Sequence, residues 1–263
     1  MCQTQLRPRK SSLGGLTAWP MQKLSPRPKR ARGSNLANWL AAGYFGVFTL
    51  TAYAGAQQEE TLSSAFQLVL HQALENAPPP NPDHLSDKAL REKYRAWFFE
   101  INPRLERYLN ARHQSFEELN GADLRSIFLQ TVWYESIRAR LDPSLVLGVI
   151  EVESGFNKFA ISSAGALGYM QVMPFWMSKA LVTNGAIDQT TGQTKLQPST
   201  RLLHLQTNVR FGCTILRHYM DIEGNSLLRA LGRYNGNIRD DAYAQAVLRA
   251  RSHWIAEDLR LRD

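Results

Sequence analysis

Two glutamates, Glu151 and Glu153, interrupt a mainly apolar stretch, and their spacing predicts that they face different surroundings. On a helix of roughly 3.6 residues per turn, their side chains point about 200° apart. Glu151 follows Ser144 and Gly148 at helical spacing, which predicts a narrow polar face in contact with water. Glu153 follows large apolar residues at the same spacing, so we predict that its side chain is directed toward the protein interior.

A carboxyl group on an apolar face can act as a general acid. Loss of hydration penalises its charged form, so the pKa of Glu153 should rise and the group could stay protonated near neutral pH. Alternatively, Glu153 only accepts hydrogen bonds from the turn that Ser154 and Gly155 begin, since structural networks also perturb carboxylates. The residues alone leave both interpretations open.

The helix that carries both glutamates has a clear start. Asp142 is a favourable N-cap, and Pro143 suits the first helical position because its missing N–H would have no partner there. A preceding helix is predicted from an Asp123 cap to about residue 140. It would lead directly into the helix of the two glutamates.

Three sequence blocks in a fixed order carry a family resemblance. They are Glu153-Ser154-x-Phe156-Asn157, Ser162-Ser163-x-Gly165-Ala166-x-Gly168-x-Met170-Gln171-Val172-Met173-Pro174 and Arg233-Tyr234-Asn235-Gly236-Asn237. Together they closely resemble the soluble lytic transglycosylase (SLT) domain, which implies an all-α, goose-type-lysozyme-like fold. The family's Gly-Leu-Met-Gln block appears here as Gly168-Tyr169-Met170-Gln171, with tyrosine in place of the leucine.

The resemblance implies which residues act on a substrate. Members of the family cleave the β-1,4 bond between N-acetylmuramic acid and N-acetylglucosamine in peptidoglycan. Their catalytic acid and base is the glutamate that matches Glu153. The implied substrate-binding residues are Ser154, Met170, Gln171, Tyr234 and Asn235. Ser154 would orient the glutamate or the substrate acetamido group, the Met-Gln pair would line the groove, and the Tyr-Asn pair would close its far wall.

The number of carboxylates bears on the reaction. A conventional glycosidase needs two at a set separation, whereas the matched blocks supply one. The resemblance implies a transglycosylase, in which the C6 hydroxyl of the muramic acid attacks and leaves a 1,6-anhydro end without a cofactor. Two alternatives stay open: a goose-type muramidase, which would leave a reducing end, and a non-enzymatic peptidoglycan-binding or secretion-associated module. In that module, residues 55–120 would dock an envelope-assembly protein.

Other catalytic chemistries find little support. The histidines show neither the i, i+4 pairing nor the nearby cysteine cluster that metal sites use, so no metal is expected. The sequence contains no Gly-x-Ser-x-Gly turn. Cys213 has no recognisable activating partner and is predicted to be a small buried hydrophobe.

The positive charge of the chain lies in its first part. The 263 residues carry a formal net charge of +8, but residues 1–54 hold eight basic residues and no acidic one. The remaining 23 basic and 23 acidic residues balance. The charge therefore gives no support to nucleic-acid binding by the folded part.

Residues 1–54 have the pattern of an export signal. Basic residues through Arg32 precede an apolar run over 36–50, and Ala52-Tyr53-Ala54 forms a small-x-small cleavage site. We predict cleavage after Ala54 and a periplasmic location. The alternative is an uncleaved membrane anchor, although the run is shorter than the ~20 residues that span a bilayer. Met21 is an alternative start to Met1.

An all-α fold is predicted, with a helical extension over residues 55–120 and a catalytic domain over 121–263. The extension should hold helices over 59–76 and from a Ser86 cap to about Ile101, with a proline-rich break over 77–83 and a third helix opening at Pro103. Lacking a functional motif, it should pack on the catalytic domain or, alternatively, dock a partner. Further helices are predicted over 174–181, 207–222, 226–234 and 240–254, with a polar loop over 183–200. The expected acting form is a monomer.

Overall fold

The computed structural model describes residues 57–74, 79–82, 85–112, 119, 121–182 and 198–256. Its helices are α1 (Ser64–Gln72), α2 (Lys88–Ala111), α3 (Ala122–Arg138), α4 (Pro143–Ser154), α5 (Pro174–Val182), α6 (Pro198–Arg201), α7 (Leu205–Ile222), α8 (Leu227–Tyr234) and α9 (Ala242–Ser252). Two isolated antiparallel bridges, joining Leu167 to Ile161 and to Val172, are the β pairings within those ranges. The all-α prediction is confirmed.

Helix α4 begins and ends at residues suited to those positions. The Asp142 side chain accepts a hydrogen bond from the Ser144 backbone N–H at 2.9 Å, and Pro143 occupies the first turn, as predicted. Gly155 ends the helix in the left-handed conformation, with a φ of 57°, where glycine has no Cβ to clash. The chain therefore turns sharply just after Glu153.

The polar side of α4 faces helix α9, not water. A Cβ at Gly148 would lie only 2.7 Å from the Arg251 backbone nitrogen, so the two helices cross in near contact. Ser144 is buried, and Glu151 is buried as well, accepting a hydrogen bond from Trp254 Nε1 at 2.8 Å. The prediction of a wet face for Glu151 is wrong because small residues at helical spacing can also mark a close helix contact.

The helices before residue 121 share a core with the rest of the described chain. Helix α1 packs on α5 and α7, and α2 packs on α3. The fully or almost fully buried side chains of these two helices include Leu70, Trp97, Ile101 and Leu105. These two helices therefore pack against the same core as the helices after residue 121.

Three details of these helices differ from the sequence predictions. Helix α1 begins after a Ser63 cap, later than residue 59. Helix α2 is capped by Asp87, not Ser86, and continues without interruption through Pro103. A proline removes one intrahelical hydrogen bond, and the burial of Ile101 and Leu105 on either side of it stabilises the continuous helix.

The remaining elements follow the predictions closely. Helix α8 follows Ser226 as predicted. Helix α3 is capped by Gly121, not by Asp123, which lies in its first turn; glycine is also tolerated at an N-cap. Cys213 is fully buried on α7. Residues 1–54 and most of the predicted 183–200 loop lie outside the described ranges, and α6 occupies the end of that loop. Across the described ranges, no helix has the length and apolarity needed to cross a bilayer.

Gly148→Ala should destabilise the protein although alanine is the better helix former. The added Cβ would meet backbone atoms of Arg251 and Val247 at 2.7 to 3.0 Å. Overpacking costs about 1–3 kcal/mol, against a gain of about 1 kcal/mol in helix propensity. Urea unfolding should show a net loss in the free energy of unfolding.

Gly121→Ala is the control, because nothing lies within 4 Å of a Cβ built there. Its free energy of unfolding should change by less than about 1 kcal/mol. A Gly148→Ala variant as stable as the wild type would contradict the close helix crossing.

Candidate active site

Glu153 lies in the last turn of α4 and is half-buried. The Tyr243 hydroxyl, at the start of α9, donates a hydrogen bond to its Oε1 at 2.6 Å. Burial raises the pKa of Glu153 to about 8, and the hydrogen bond from Tyr243 acts in the opposite direction. The carboxyl group is therefore mainly protonated at neutral pH, yet it has a donor that stabilises its charged form.

Tyr234, the last residue of α8, shares this site. Its buried hydroxyl donates a hydrogen bond to the Met170 carbonyl at 2.8 Å. Burial raises the pKa of Tyr234 well above its ordinary value, and the negative charge of a nearby Glu153 carboxylate raises it further. The same two causes, in the same order, raise the pKa of Tyr243. The two phenols and the carboxyl thus form one cluster.

The segment 165–171 forms a tight turn beside this cluster. Gly165 and Gly168 have φ values of 86° and 76°, which favour glycine. Asn208 on α7 holds the turn, because its Oδ1 accepts from the Met170 N–H at 2.7 Å and its Nδ2 donates to the Leu167 carbonyl at 2.8 Å. Gln171 follows with a φ of 47°, an uncommon conformation for a residue with a side chain. Strained backbone of this kind is concentrated at functional sites.

Three of the predicted substrate-binding side chains are directed into the protein. The Ser154 hydroxyl is buried 2.8 Å from the Tyr169 carbonyl, to which it donates. Met170 is fully buried, and a Cβ at Gly212 would clash with it. The Gln171 carboxamide donates to the carbonyls of Ala160 and Gly168. These side chains hold the turn in place beside Glu153.

Asn235 lies next to the cluster as the C-cap of α8. Its side chain is largely buried, and its backbone N–H donates to the Leu231 carbonyl at 3.0 Å. Tyr234 and Asn235 therefore lie at the junction of α8 with the segment that follows it. Among the predicted site residues, Tyr234 is near enough to Glu153 for the charge of that carboxylate to raise its pKa.

Glu151 belongs to a different environment. Its carboxylate is bound by Trp254 and by His253, whose Nδ1 lies 3.2 Å away. Burial and the Tyr243 hydrogen bond are the causes that shift the pKa of Glu153, so in the described part of the chain no second carboxylate acts on it. Nor do the described residues bring together three His, Cys, Asp or Glu side chains that could hold a metal.

Sequence reasoning missed three residues of this site. Tyr243, Asn208 and Gln57 belong to none of the three blocks, and each acts through contacts with residues far away in the chain. Gln57 is buried, and its Oε1 accepts from Trp176 Nε1 at 2.8 Å. No local pattern distinguishes these residues from ordinary tyrosine, asparagine or glutamine.

The region that holds this site is similar to known proteins. Residues 132–253 match the family model of the transglycosylase SLT domain. The chain is 28% identical over 130 residues to membrane-bound lytic murein transglycosylase C of Haemophilus influenzae strain Rd. It is 42% identical over 71 residues to the protein of that name in H. influenzae strain PittEE, and 57% identical over 37 residues to that in Actinobacillus pleuropneumoniae serotype 5b (strain L20).

These matches cover only part of each protein. They span 48%, 27% and 14% of this chain and 34%, 18% and 10% of the three relatives, in the same order. No solved structure matches the chain significantly. The three sequence blocks all fall within the family match, and the resemblance that they predict is confirmed.

Glu153→Gln should stabilise the protein at high pH. The pKa of Glu153 rises from 4.5 to about 8 on folding, so between these values the folded protein keeps a proton that the unfolded chain releases. Its contribution to stability is full below pH 4.5 and is lost as the pH rises through 8. A glutamine cannot ionise, so the variant should gain about 1–3 kcal/mol over the wild type at pH 8.

Urea unfolding at pH 5 and pH 8 measures this gain. Glu92→Gln, which changes an exposed carboxylate on α2, is the control and should show no comparable pH dependence. An equal difference between Glu153→Gln and wild type at both pH values would contradict the raised pKa.

Proposed function

We propose that this chain, whose residues 132–253 belong to the transglycosylase SLT family, is a peptidoglycan lytic transglycosylase. It would cleave the β-1,4 bond between N-acetylmuramic acid and N-acetylglucosamine and leave a 1,6-anhydro-N-acetylmuramic acid end. The observation that carries the proposal is the half-buried carboxyl of Glu153, whose pKa of about 8 keeps it protonated at neutral pH. The names of the relatives agree with this activity.

In the first step, Glu153 acts as the general acid. Its proton goes to the glycosidic oxygen as the bond to the anomeric carbon breaks, so the leaving sugar departs as an alcohol. Positive charge develops at the anomeric carbon, where the N-acetyl group of the muramic acid shares it. A pKa near the working pH suits this transfer, because the acid is both populated and able to release its proton.

In the second step, Glu153 acts as the general base. Its carboxylate takes the proton of the C6 hydroxyl while that oxygen bonds to the anomeric carbon, which closes the anhydro ring and restores the acid. No water is consumed. Well-oriented intramolecular attack reaches effective concentrations of about 10⁵ M or more, so ring closure outcompetes hydrolysis in a site that excludes water.

The neighbouring residues position Glu153 and the reacting sugar. Tyr243 stabilises the carboxylate between the two steps through its 2.6 Å hydrogen bond. Tyr234 and Asn235 form the wall beside the reacting sugar. Ser154, Met170 and Gln171 act through the turn that they hold together, so their backbone forms the opposite wall. No cofactor takes part.

The place and form of action follow from the same proposal. Residues 1–54 direct export and are removed after Ala54, and the folded enzyme works on glycan strands in the cell envelope, in the periplasm. Residues 55–120 are a packing extension of the catalytic domain over 121–263, and a monomer suffices for catalysis. An envelope-assembly protein could still bind the exposed side of the extension.

Product analysis separates this proposal from its alternatives. Digestion of purified sacculi should release muropeptides with 1,6-anhydro ends, whereas a muramidase would release products heavier by one water. Glu153→Gln should lower the rate by about 10²- to 10⁴-fold, because both proton transfers are lost. Mass spectrometry of the digest measures both.

Glu151→Gln is the matched control. It removes a charge only two residues away, but Trp254 and His253 hold that side chain apart from the cluster. This variant should keep most of the activity. Equal losses in the two variants would contradict the assignment of Glu153, and a wild type without lytic activity would favour the binding module.

Tyr243→Phe should shift the pH profile upward. The hydrogen bond from Tyr243 lowers the pKa of Glu153, so its removal raises that pKa above about 8. Because the protonated form starts the reaction, the high-pH limb of kcat/KM should move up by about one to two pH units. The rate at the optimum should fall, since the carboxylate formed in the first step loses its donor.

The position of the high-pH limb is measured from kcat/KM on solubilised glycan strands over a series of pH values. Tyr134→Phe on α3 is the control and should leave the profile in place. A limb that moves downward would show that Tyr243 does not stabilise the charged form of Glu153.

A further inference from the structure

Residues 57–60, here called the strap, run across the two segments assigned above as groove walls. They precede α1 and contact parts of the chain more than one hundred residues away. One wall is the turn that ends at Gln171–Met173, and the other is the segment 233–236 at the end of α8. These walls meet where Tyr234 donates its hydrogen bond to the Met170 carbonyl.

Gln57 joins the strap to the first wall. Its Oε1 accepts from Trp176 Nε1 at 2.8 Å and from the Met173 backbone N–H at 3.3 Å, and its Nε2 donates to the Gln171 carbonyl at 3.4 Å. The side chain is 3% exposed, so its carboxamide is fully engaged in the protein. A hydrogen bond from it also reaches the Tyr234 phenol, where it lowers a pKa that burial raises.

The rest of the strap joins the second wall. The Gln58 Nε2 donates to the Gly236 carbonyl at 3.4 Å, and the Glu60 carboxylate pairs with Arg233 at 3.1 Å. Lys179 on α5 fixes the strap from the other side, since its Nζ donates to the Glu60 carbonyl at 3.2 Å. The strap is thus bound to both walls within four residues.

We infer that the strap closes one end of the substrate groove. A glycan strand that lies between the two walls cannot continue past a segment that is bonded to both of them. Glu153 is half-buried and contacts Tyr243 on α9. The inference rests on the proposed function, and it specifies how the site meets its substrate.

A groove closed at one end selects strand termini. A strand can enter only until its end meets the strap, so cleavage occurs at a fixed distance from that end and releases short products in succession. An open groove would bind the interior of a strand and release long fragments first. Gln57 is, in this scheme, a positioning residue that holds the strap to Tyr234 and to the Gln171–Met173 turn.

Binding of oligosaccharides tests the closed end without requiring turnover. In the Glu153→Gln background, β-1,4-linked N-acetylglucosamine oligomers of increasing length should gain affinity until the groove is filled and then no more. A strap-release variant, Gln57→Ala with Gln58→Ala and Glu60→Gln, should keep gaining, with affinity for the longest oligomers about tenfold higher than with the strap intact. Calorimetry gives both curves.

Two further variants guard against misfolding. Gln58→Ala with Glu60→Gln leaves the buried Gln57 in place. It should also raise the affinity for the longest oligomers above the plateau, meaning the constant affinity reached once the groove is filled, but by a smaller factor. Thr61→Ala changes an exposed residue beside the strap and should leave the plateau unchanged. Matching plateaus in the strap-release and strap-intact proteins would overturn the inference.

The products of the active enzyme give the second readout. Early digests of sacculi by the wild type should contain mainly short anhydro muropeptides, whereas the strap-release variant should raise the share of long fragments several-fold. Long fragments from the wild type at the earliest times would overturn the inference while leaving the transglycosylase reaction intact. Faster cleavage of short oligomers by the released variant would also overturn it, because the strap would then be occupying sugar sites.

The two hypotheses can fail separately. A length plateau that moves with the strap, in a protein that forms no anhydro product, would support the closed groove and remove the proposed reaction. Anhydro products with no length plateau would support the reaction and remove the closed groove.

Discussion

The near-contact crossing of α4 and α9 is the constraint on which the site depends. Gly148 allows the backbones to approach, and the Asp142 carboxylate pairs with Arg251 Nη2 at 2.6 Å beside the same crossing. Tyr243 and Glu153 then meet at 2.6 Å because they are carried by these two helices. A bulkier residue at the crossing would separate the phenol from the carboxyl, so a packing requirement and the distance between Tyr243 and Glu153 are set by one contact.

The turn over residues 165–171, beside Glu153, is held in one conformation by its hydrogen bonds and close contacts. Asn208 spans it with hydrogen bonds in both directions, and a Cβ at Gly168 would lie 2.4 Å from the Asn208 Nδ2. Ser154 ties the turn to α4, and Tyr234 ties it to α8. Residue types that suggested sugar contacts in the sequence are thus explained largely by the need to build a rigid wall.

Patterns within short stretches of the sequence were enough to predict much of the helical structure. The N-cap at Asp142, the proline after it and the apolar spacing of α4 were sufficient to predict the helix, although the exposed environment predicted for Glu151 was wrong. Glu153 could be singled out because a carboxylate following apolar positions is unusual. The helical class and most helix positions follow from the same kind of pattern.

Long-range contacts account for what the sequence did not reveal. Ser144 and Gly148 have the same spacing whether the stripe faces water or another helix, and only the approach of α9 decides between them. Pro103 lies within a helix because tertiary packing outweighs one lost hydrogen bond. Tyr243 and Gln57 reach the site across 90 and more residues of chain, so neighbouring residues could not indicate their roles.

In the proposed reaction, one carboxyl serves as acid and then as base, so its pKa must be shifted by two opposing effects. Burial alone would keep Glu153 protonated but make its anion costly, so the acid would be populated while the release of its proton would be impeded. The Tyr243 hydrogen bond offsets part of that cost without adding a charge. A second carboxylate would raise the pKa further, whereas a nearby arginine would lower it below neutrality. A neutral phenol donor is the partner that keeps both protonation states within reach.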